Sequence, residues 1–169
     1  MRAAIITVSS SRTNADDRGG PALAEFAAGL GAELAGRELV HDDANEIADR
    51  LVHWADQSVE LILTTGGTGL SPEDITPEAT VAVLERQAPG IAEAMRAASA
   101  QHTGHWMLSR GVAGIRANSL IINFPGNPKA IEEAGAAIAP ALPHAVALIT
   151  GESGPARSHE SGSSTSASH

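Results

Sequence analysis

Short apolar segments that end abruptly in Gly-rich or polar turns constrain the fold of this chain more than any other feature. Residues 61–65 have the length of a buried strand and run directly into a Gly-Gly-Thr-Gly turn at residues 66–69. Residues 3–8 and 120–124 are similar apolar runs, whereas residues 44–55 repeat apolar side chains at helical spacing. Alternation of strands and helices favours an α/β fold around a mostly parallel sheet.

The same spacing predicts the remaining elements of the order β-α-β-α-β-α-α-β-α. These are a weaker strand over residues 34–40 and helices over residues 21–30, from 76 onward, 91–98 and 131–149, the last broken around Pro140 and Pro143. Asp43 and Glu46 stand three apart and predict a capping box. Thr76 followed by Pro77 predicts a helix with Thr76 as its cap and Pro77 at its first position.

Length and composition predict one folded domain and a tail. Of the 169 residues, 43% are hydrophobic, which suffices for one sizeable core over residues 1–150. Residues 151–169 contain seven serines and no Val, Ile, Leu, Met or aromatic residue. Such a segment cannot bury enough surface to offset its ordering entropy, so we expect a disordered Ser-rich tail.

Charge and cysteine content exclude several classes of protein. A formal net charge of −9 with only 11 Lys plus Arg argues against a nucleic-acid-binding protein. The absence of cysteine excludes disulfides and thiolate chemistry and fits a reducing compartment. With no secretory signal and no run of membrane-spanning length, we expect a cytoplasmic protein that does not bind membranes.

Three polar or Gly-rich segments follow predicted strand ends, at residues 9–12, 66–74 and 125–129. Because ligands of parallel α/β sheets bind outside the carboxyl ends of the strands, we expect these segments to converge on one site. Successive N–H groups of a Gly-rich turn can bind an anion, although a tight strand-to-helix connection explains the turn at residues 66–69 equally well. The turn matches neither a P-loop nor a Rossmann fingerprint.

Charged residues near these turns allow two interpretations each. Asp74 could hold Mg²⁺ beside a bound phosphate, or it could cap a helix or complete a turn. For Asp42 and Asp43, capping is the better interpretation without further information. Lys129 is the only lysine and could neutralise a phosphate, but a solvated lysine on a rigid turn is at least as plausible.

Four segments in order resemble the MogA/MoaB family of molybdopterin-binding domains over about residues 3–150. The strongest is TTGGTGLSPEDITPEAT at residues 64–80, which is similar to the family's TTGGTG and TPEAT signature. Pro-Gly at residues 89–90 with Met-Arg at 95–96, Leu-Ser-Arg at 108–110, and NFPGNPKA at 123–130 follow in the expected order.

The resemblance implies a three-layer α/β/α sandwich, assembled as a homotrimer or a hexamer of paired trimers. It also implies an enzyme that uses ATP and Mg²⁺ to adenylylate molybdopterin and passes it to a molybdenum-insertion partner. Asp74 would be the essential acidic residue and Asp42 a second one, the two being the Mg²⁺ ligands. The implied substrate-binding residues are Ser9, Thr65, Gly66, Gly67, Thr68, Gly69, Pro125, Gly126, Asn127 and Lys129.

Two departures from the family pattern leave the subtype open. Glu73 stands where MogA-like proteins often have Arg, and the segment VSSSRT at residues 8–13 is closer to the MoaB form, with Ser10 in place of its Asp. One alternative to the adenylyltransferase is therefore a non-catalytic MoaB-like molybdopterin-binding protein. A CinA-like nucleotide hydrolase, from a family similar in domain type, is the other.

Overall fold

A computed structural model describes residues 1–152 of the chain, which form one six-stranded sheet covered by helices on both faces. Its strands are β1 (Arg2–Val8), β2 (Glu33–Val40), β3 (Leu61–Thr65), β4 (Arg86–Gln87), β5 (Ala113–Arg116) and β6 (Ser119–Phe124). Its helices are α1 (Gly19–Gly29), α2 (Ala44–Asp56), α3 (Thr76–Val83), α4 (Pro89–Ser99), α5 (Pro128–Ile138) and α6 (Leu142–Thr150). The expected tail lies almost wholly outside the described residues.

The strand order in the sheet is β2-β1-β3-β6-β5-β4. The first four strands in this order are parallel, and β5 and β4 extend the sheet antiparallel at one edge. The predicted mostly parallel sheet is therefore confirmed. The central strand β3 is buried along its whole length, which explains its apolar start at residues 61–63; the threonines at 64 and 65 are buried as well.

Two separate hydrophobic cores make the molecule three-layered, as expected. On one face α1, α4, α5 and α6 pack against alternate strand residues such as Ile5 and Leu63. On the other face α2 and α3 pack against the intervening residues, such as Ile6 and Ile62. The period-two alternation of strand side chains divides the apolar residues between the two cores.

The predicted caps are only partly correct. Asp43 does cap α2, since its carboxylate accepts a hydrogen bond from the Glu46 N–H at 2.9 Å. The Glu46 carboxylate accepts from the N–H of His41 and not from that of Asp43, so the reciprocal half of the box is missing. Thr76 was wrongly predicted as the cap of α3, because Ile75 occupies that position and Thr76 lies inside the helix.

The antiparallel edge was not predicted from the sequence. Strands β4 and β5 contain two and four residues, which is too short for an alternating pattern to stand out. Pairing with β6 through a hairpin at residues 117–118, and not local propensity, defines β5.

No single helix within residues 1–152 is long and apolar enough to cross a membrane. Helices α5 and α6 reach that length and composition only as a pair, which is bent by 66° at the break between them.

Candidate active site

The loops that follow β1, β3 and β6 meet at the carboxyl end of the parallel strands, together with the end of β2. They surround an open cleft of about 380 Å³. Its wall consists of Val8, Ser9, Ser11, Arg12, Asp42, Gly66, Gly67, Thr68, Gly69, Ser71, Glu73, Asp74 and Gly126. An open, polar cleft at this edge of the sheet is suited to a charged, well-hydrated ligand.

The turn after β3 can be formed only by glycine at its first two positions. Gly66 and Gly67 have φ angles of 95° and 65°, in the left-handed region. A Cβ on Gly66 would overlap the carbonyl oxygen of Val8, and a Cβ on Gly67 would overlap the hydroxyl of Thr76. A larger residue at either position would therefore both strain the backbone and displace the cleft wall.

Hydrogen bonds fix both ends of this turn and leave its middle open. The Gly66 N–H donates to the carbonyl of Phe124 at 3.2 Å, which ties the turn to β6. Thr76 donates its N–H to the Gly67 carbonyl at 3.1 Å and its hydroxyl to the Gly66 carbonyl at 2.9 Å. Within the part of the chain that the structure describes, the N–H groups of residues 67–69 donate to no protein acceptor. Successive N–H groups of this kind form a concavity that can bind an anion.

Asp42 follows β2 and is held by the loop that follows β1. The Ser10 N–H donates to its Oδ2 at 2.7 Å, and the Asp42 N–H donates to the Ser10 hydroxyl at 3.0 Å. Its Oδ1 accepts no hydrogen bond from residues 1–152 and lies 3.5 Å from where a Cβ of Gly67 would stand. The Oδ2 of Asp42 thus fixes its side chain to the loop after β1, and its Oδ1 is available for a ligand at the Gly turn. Its neighbour Asp43 is the cap of α2.

Asp74 belongs to the same loop as the Gly turn. Its Oδ2 accepts from the Ser71 N–H at 3.0 Å, and its own N–H donates to the Ser71 carbonyl at 3.0 Å. The same Oδ2 lies 2.7 Å from where a Cβ of Gly69 would stand. The sequence left two structural roles open for Asp74, a helix cap and the completion of a turn. The structure shows the turn, since Asp74 bonds to Ser71 and Ile75 is the cap of α3. Asp74 still lines the cleft, with its carboxylate beside the opposite end of the turn from Asp42.

The donor set fits a Mg²⁺ ion that binds together with a phosphorylated substrate. Mg²⁺ prefers oxygen ligands and is commonly held by one or two carboxylates plus substrate phosphates. Asp42 and Asp74 supply two carboxylates at opposite ends of the Gly turn. No group of three or more His, Cys, Asp or Glu among residues 1–152 could hold a metal by itself. The remaining ligands would have to be water or phosphate oxygens.

Arg12 is a cleft residue that the sequence analysis did not single out. Among the described residues it is the only cation in the wall, which also contains the carboxylates of Asp42, Glu73 and Asp74. The Ser9 hydroxyl accepts from the Arg12 N–H at 3.2 Å and so shapes the loop that carries it. It falls in the segment at residues 9–12 that was expected to reach the site, but it was not named as a site residue. Ser11, Ser71 and Glu73 also fall in the expected segments, at residues 9–12 and 66–74, and were not named individually.

Four of the implied substrate-binding residues do not line the cleft. Thr65 is buried and donates its hydroxyl to the carbonyl of Pro125 at 2.7 Å, which joins the loops after β3 and β6. Pro125 itself faces α4. The Asn127 side chain accepts from the Lys129 N–H at 2.9 Å and caps α5. Lys129 is exposed on the surface between α1 and α5, 3.9 Å from Glu133.

Arg110 holds the outer side of the loop that carries Asp74. Its N–H donates to the Thr68 carbonyl at 2.8 Å, and its Nε donates to the Gly69 carbonyl at 2.7 Å. One terminal nitrogen donates to the carbonyl of Asp74, and the other forms an ion pair with Glu78 of α3. The hydrogen bond from Arg110 lowers the pKa of the Glu78 carboxyl.

Comparison with known proteins supports the same family as the motifs. The family model described as "probable molybdopterin binding domain" matches residues 4–144. Molybdopterin adenylyltransferase from Escherichia coli K12 is 40% identical over 79% of this chain and 71% of its own length. The corresponding enzyme of Helicobacter pylori 26695 is 46% identical over 68% of this chain, and the match spans 65% of that protein, just under two thirds.

A solved structure shares the whole architecture. The molybdopterin biosynthesis enzyme MoaB from Thermus thermophilus superposes with a TM-score of 0.81 at 46% identity, covering 89% of this chain and 96% of that one. With a family model that matches most of the chain and a relative of this similarity, the chain belongs to the molybdopterin-binding domain family.

Proposed function

We propose that this protein is a molybdopterin adenylyltransferase of molybdenum-cofactor biosynthesis, with ATP and molybdopterin as substrates. Two relatives that are 40% and 46% identical bear this name. The observation that carries the proposal is the turn at residues 67–69, whose N–H groups donate to no acceptor among residues 1–152, with Asp42 beside Gly67 and Asp74 beside Gly69. Joining two phosphorylated substrates requires such a site, with donors for phosphate oxygens and acidic ligands for a counter-cation.

The reaction transfers the α-phosphoryl group of ATP together with its adenosine. A phosphate oxygen of molybdopterin attacks the α-phosphorus, the bond from that phosphorus to the β-phosphate oxygen breaks, and pyrophosphate leaves. No side-chain nucleophile is needed, so the protein contributes mainly by aligning the two substrates and stabilising the charge around phosphorus.

Different residues of the cleft would bind different parts of the two substrates. The N–H groups of residues 67–69 would donate to the oxygens of one phosphate. Arg12 would pair with a second phosphate from the opposite loop. Residues Ser9 and Gly126 complete the wall.

Asp42 and Asp74 would hold Mg²⁺, which when bound neutralises phosphate charge and stabilises the pyrophosphate leaving group. Their role in the absence of substrate is electrostatic. With Glu73 they place three carboxylates against Arg12, the one cation among the described wall residues, so an unneutralised polyphosphate would be repelled. The site should therefore bind ATP with Mg²⁺ much better than free ATP.

We also propose that the protein is a cytoplasmic homotrimer or hexamer that passes its product to a molybdenum-insertion protein. Met107 and Leu108 are large apolar residues with 62% and 43% of their surface exposed, which supports burial against another chain. Size-exclusion chromatography with light scattering measures the assembly directly, and a monomer at micromolar concentration would contradict it.

The decisive experiment is to incubate the purified protein with molybdopterin, ATP and Mg²⁺. Mass spectrometry should detect adenylylated molybdopterin, and a coupled assay should detect an equal amount of pyrophosphate. Replacing ATP by a non-cleavable analogue with a methylene group between the α- and β-phosphates should abolish both products. ATP hydrolysis to AMP without adenylylated pterin would contradict the proposal and favour a hydrolase.

A non-catalytic molybdopterin-binding protein is the second candidate. The MoaB-like segment at residues 8–13 and Glu73 in place of the common Arg favour it. Under this alternative, calorimetry detects molybdopterin binding, but ATP is not consumed and pyrophosphate does not form.

A further inference from the structure

The loop at residues 68–74 has little structure of its own. It contains no helix or strand, and its residues 70–73 are exposed, with Leu70 at 64%. A loop with few buried apolar contacts opens readily unless other groups hold it. Yet Asp74 must keep a defined position relative to the Gly turn, since it lines the cleft from the far end of this loop.

Arg110 bonds to both ends of this loop. The carbonyls of Thr68 and Gly69 at the start accept from its N–H and Nε at 2.8 Å and 2.7 Å. The carbonyl of Asp74 at the other end accepts from a terminal nitrogen of the guanidinium. One residue from the segment before β5 thus fixes the distance between the Gly turn and Asp74.

Glu78 anchors the guanidinium from the first turn of α3. It forms an ion pair with Arg110 and accepts from both of its terminal nitrogens. Because α3 begins directly after the loop, this pair connects the loop to a rigid element. A lysine could not replace the arginine, since only the planar guanidinium can donate in several fixed directions at once.

We propose that Arg110 is a positioning residue of the site, which holds the loop at residues 68–74 closed so that Asp74 faces the Gly turn. It does not line the cleft, and it acts only through the carbonyls that it binds. The expected effect of Arg110 on turnover rests on the proposed function. The effect of Arg110 on the loop conformation does not, and it can be measured without any substrate.

The experiment compares Arg110→Lys with Arg116→Lys. Arg116 is a matched control, because its guanidinium also donates to a backbone carbonyl, that of Val83, at 3.0 Å and away from the cleft. The amides of Ser71 and Asp74 are hydrogen-bonded only within the closed loop, so their hydrogen exchange reports its opening.

We expect these two amides to exchange about tenfold faster in Arg110→Lys and at the normal rate in Arg116→Lys. We also expect kcat of Arg110→Lys to fall about 10- to 100-fold, since a small misplacement of a metal-holding group has effects of this size, while KM for molybdopterin changes little. Normal exchange at these two amides, or equal kcat in the two variants, would overturn the inference.

Two further measurements keep the result interpretable. If Arg110→Lys does not fold, Glu78→Gln leaves the arginine in place and should give smaller changes of the same sign. Unchanged exchange in a folded Glu78→Gln variant would then count against the anchoring by α3. If the wild-type protein forms no adenylylated molybdopterin, the proposed function fails, and the hydrogen-exchange comparison still decides whether Arg110 holds the loop.

Discussion

Asp42 and Asp74 line the same cleft but are held in different ways. Asp42 is attached to another part of the chain, through its two hydrogen bonds with Ser10, 32 residues away in sequence. Asp74 is attached within its own loop, through Ser71, and that loop is held from outside by Arg110. The position of the Asp42 carboxylate is therefore set by the ends of two strands that pair in the sheet. The position of the Asp74 carboxylate is set by the conformation of its own loop.

This difference indicates which part of the site responds more strongly to substitution. Strands β1 and β2 pair up to their carboxyl ends at Val8 and Val40, with one register shift near Ala3, so the strand ends next to Ser10 and Asp42 are held by the sheet. The loop at residues 68–74 has no such pairing, and its geometry can change without unfolding of the domain. We therefore expect changes around Asp74 to affect turnover more than changes around Asp42.

The largest effect is expected for Asp74→Asn, which should lower turnover about 100-fold or more. Asparagine keeps the size and one acceptor for the Ser71 N–H, so the turn should persist while the charge is lost. Asp43→Asn is the matched control, because asparagine caps a helix as well as aspartate does. Formation of adenylylated molybdopterin at saturating ATP measures the rate, and circular dichroism checks the fold.

If folded Asp74→Asn retains close to normal turnover, Asp74 is not a metal-bearing residue and the mechanism fails. If neither variant nor the wild type turns over, the binding-protein alternative stands.

The next largest effect is expected for Gly67→Val, which acts at the Asp42 end of the Gly turn. The valine side chain would overlap the Thr76 hydroxyl and approach the Oδ1 of Asp42, and the positive φ adds about 2 kcal/mol of strain. Affinity for ATP with Mg²⁺ should fall about tenfold or more, as a lost charge-assisted contact implies. Gly90→Ala is the control, since no atom lies within 4 Å of a Cβ there. Equal affinities by calorimetry would refute the phosphate-binding interpretation of the turn.

A smaller effect is expected for Ser10→Ala, which tests the rigid support of Asp42. The change removes the acceptor of the Asp42 N–H but keeps the N–H that donates to its carboxylate. Turnover should fall only about 3- to 10-fold, the equivalent of one ordinary hydrogen bond. Thr13→Ala is a control from the same loop, because its hydroxyl donates to Asp16. A loss as large as that of Asp74→Asn would invert the comparison between the two carboxylates.

The smallest effect is expected for Glu78→Gln on stability, and it should depend on pH. Because Arg110 lowers the pKa of Glu78 below its ordinary value of 4.5, the ionised carboxylate stabilises the folded state at pH values above that range. The stabilisation is lost as pH falls through the lowered pKa. Near neutral pH the unfolding equilibrium constant of the variant should rise about 2- to 5-fold, since exposed pairs contribute little.

Melting curves of wild type and Glu78→Gln from pH 3 to pH 7 measure this difference. The curves should converge toward the acid end, and a difference that grows on acidification would contradict the assigned ion pair.

The sequence predicted the fold and the convergence of the loops, because both depend on local patterns. Buried strands and amphipathic helices have distinct periods, and parallel strands bring their carboxyl ends to one edge. It did not reveal which side chains face the cleft. Lys129 was named for its charge and through the resemblance, but it lies on the surface between α1 and α5, whereas Arg12 lies in the wall.

Contacts between distant residues were also beyond the sequence. Arg110 could not be linked to the loop at residues 68–74 by spacing, because about 40 residues separate them. Likewise no local pattern distinguishes Gly36 in β2, but a Cβ there would overlap the ring of Trp54 on α2. The reason in both cases is tertiary packing, which no local period encodes.

The attachment of the Gly turn to β6 has a consequence for the order of folding. Gly66 donates to Phe124 and Thr65 donates to Pro125, so the cleft closes only when residues about 60 positions further along the chain have docked. Contacts of such long range carry a high loop-closure entropy and form late. During synthesis, β1, β2 and β3 can pair before β6 has left the ribosome. The nascent chain would therefore have most of its sheet before it has any capacity to bind nucleotide.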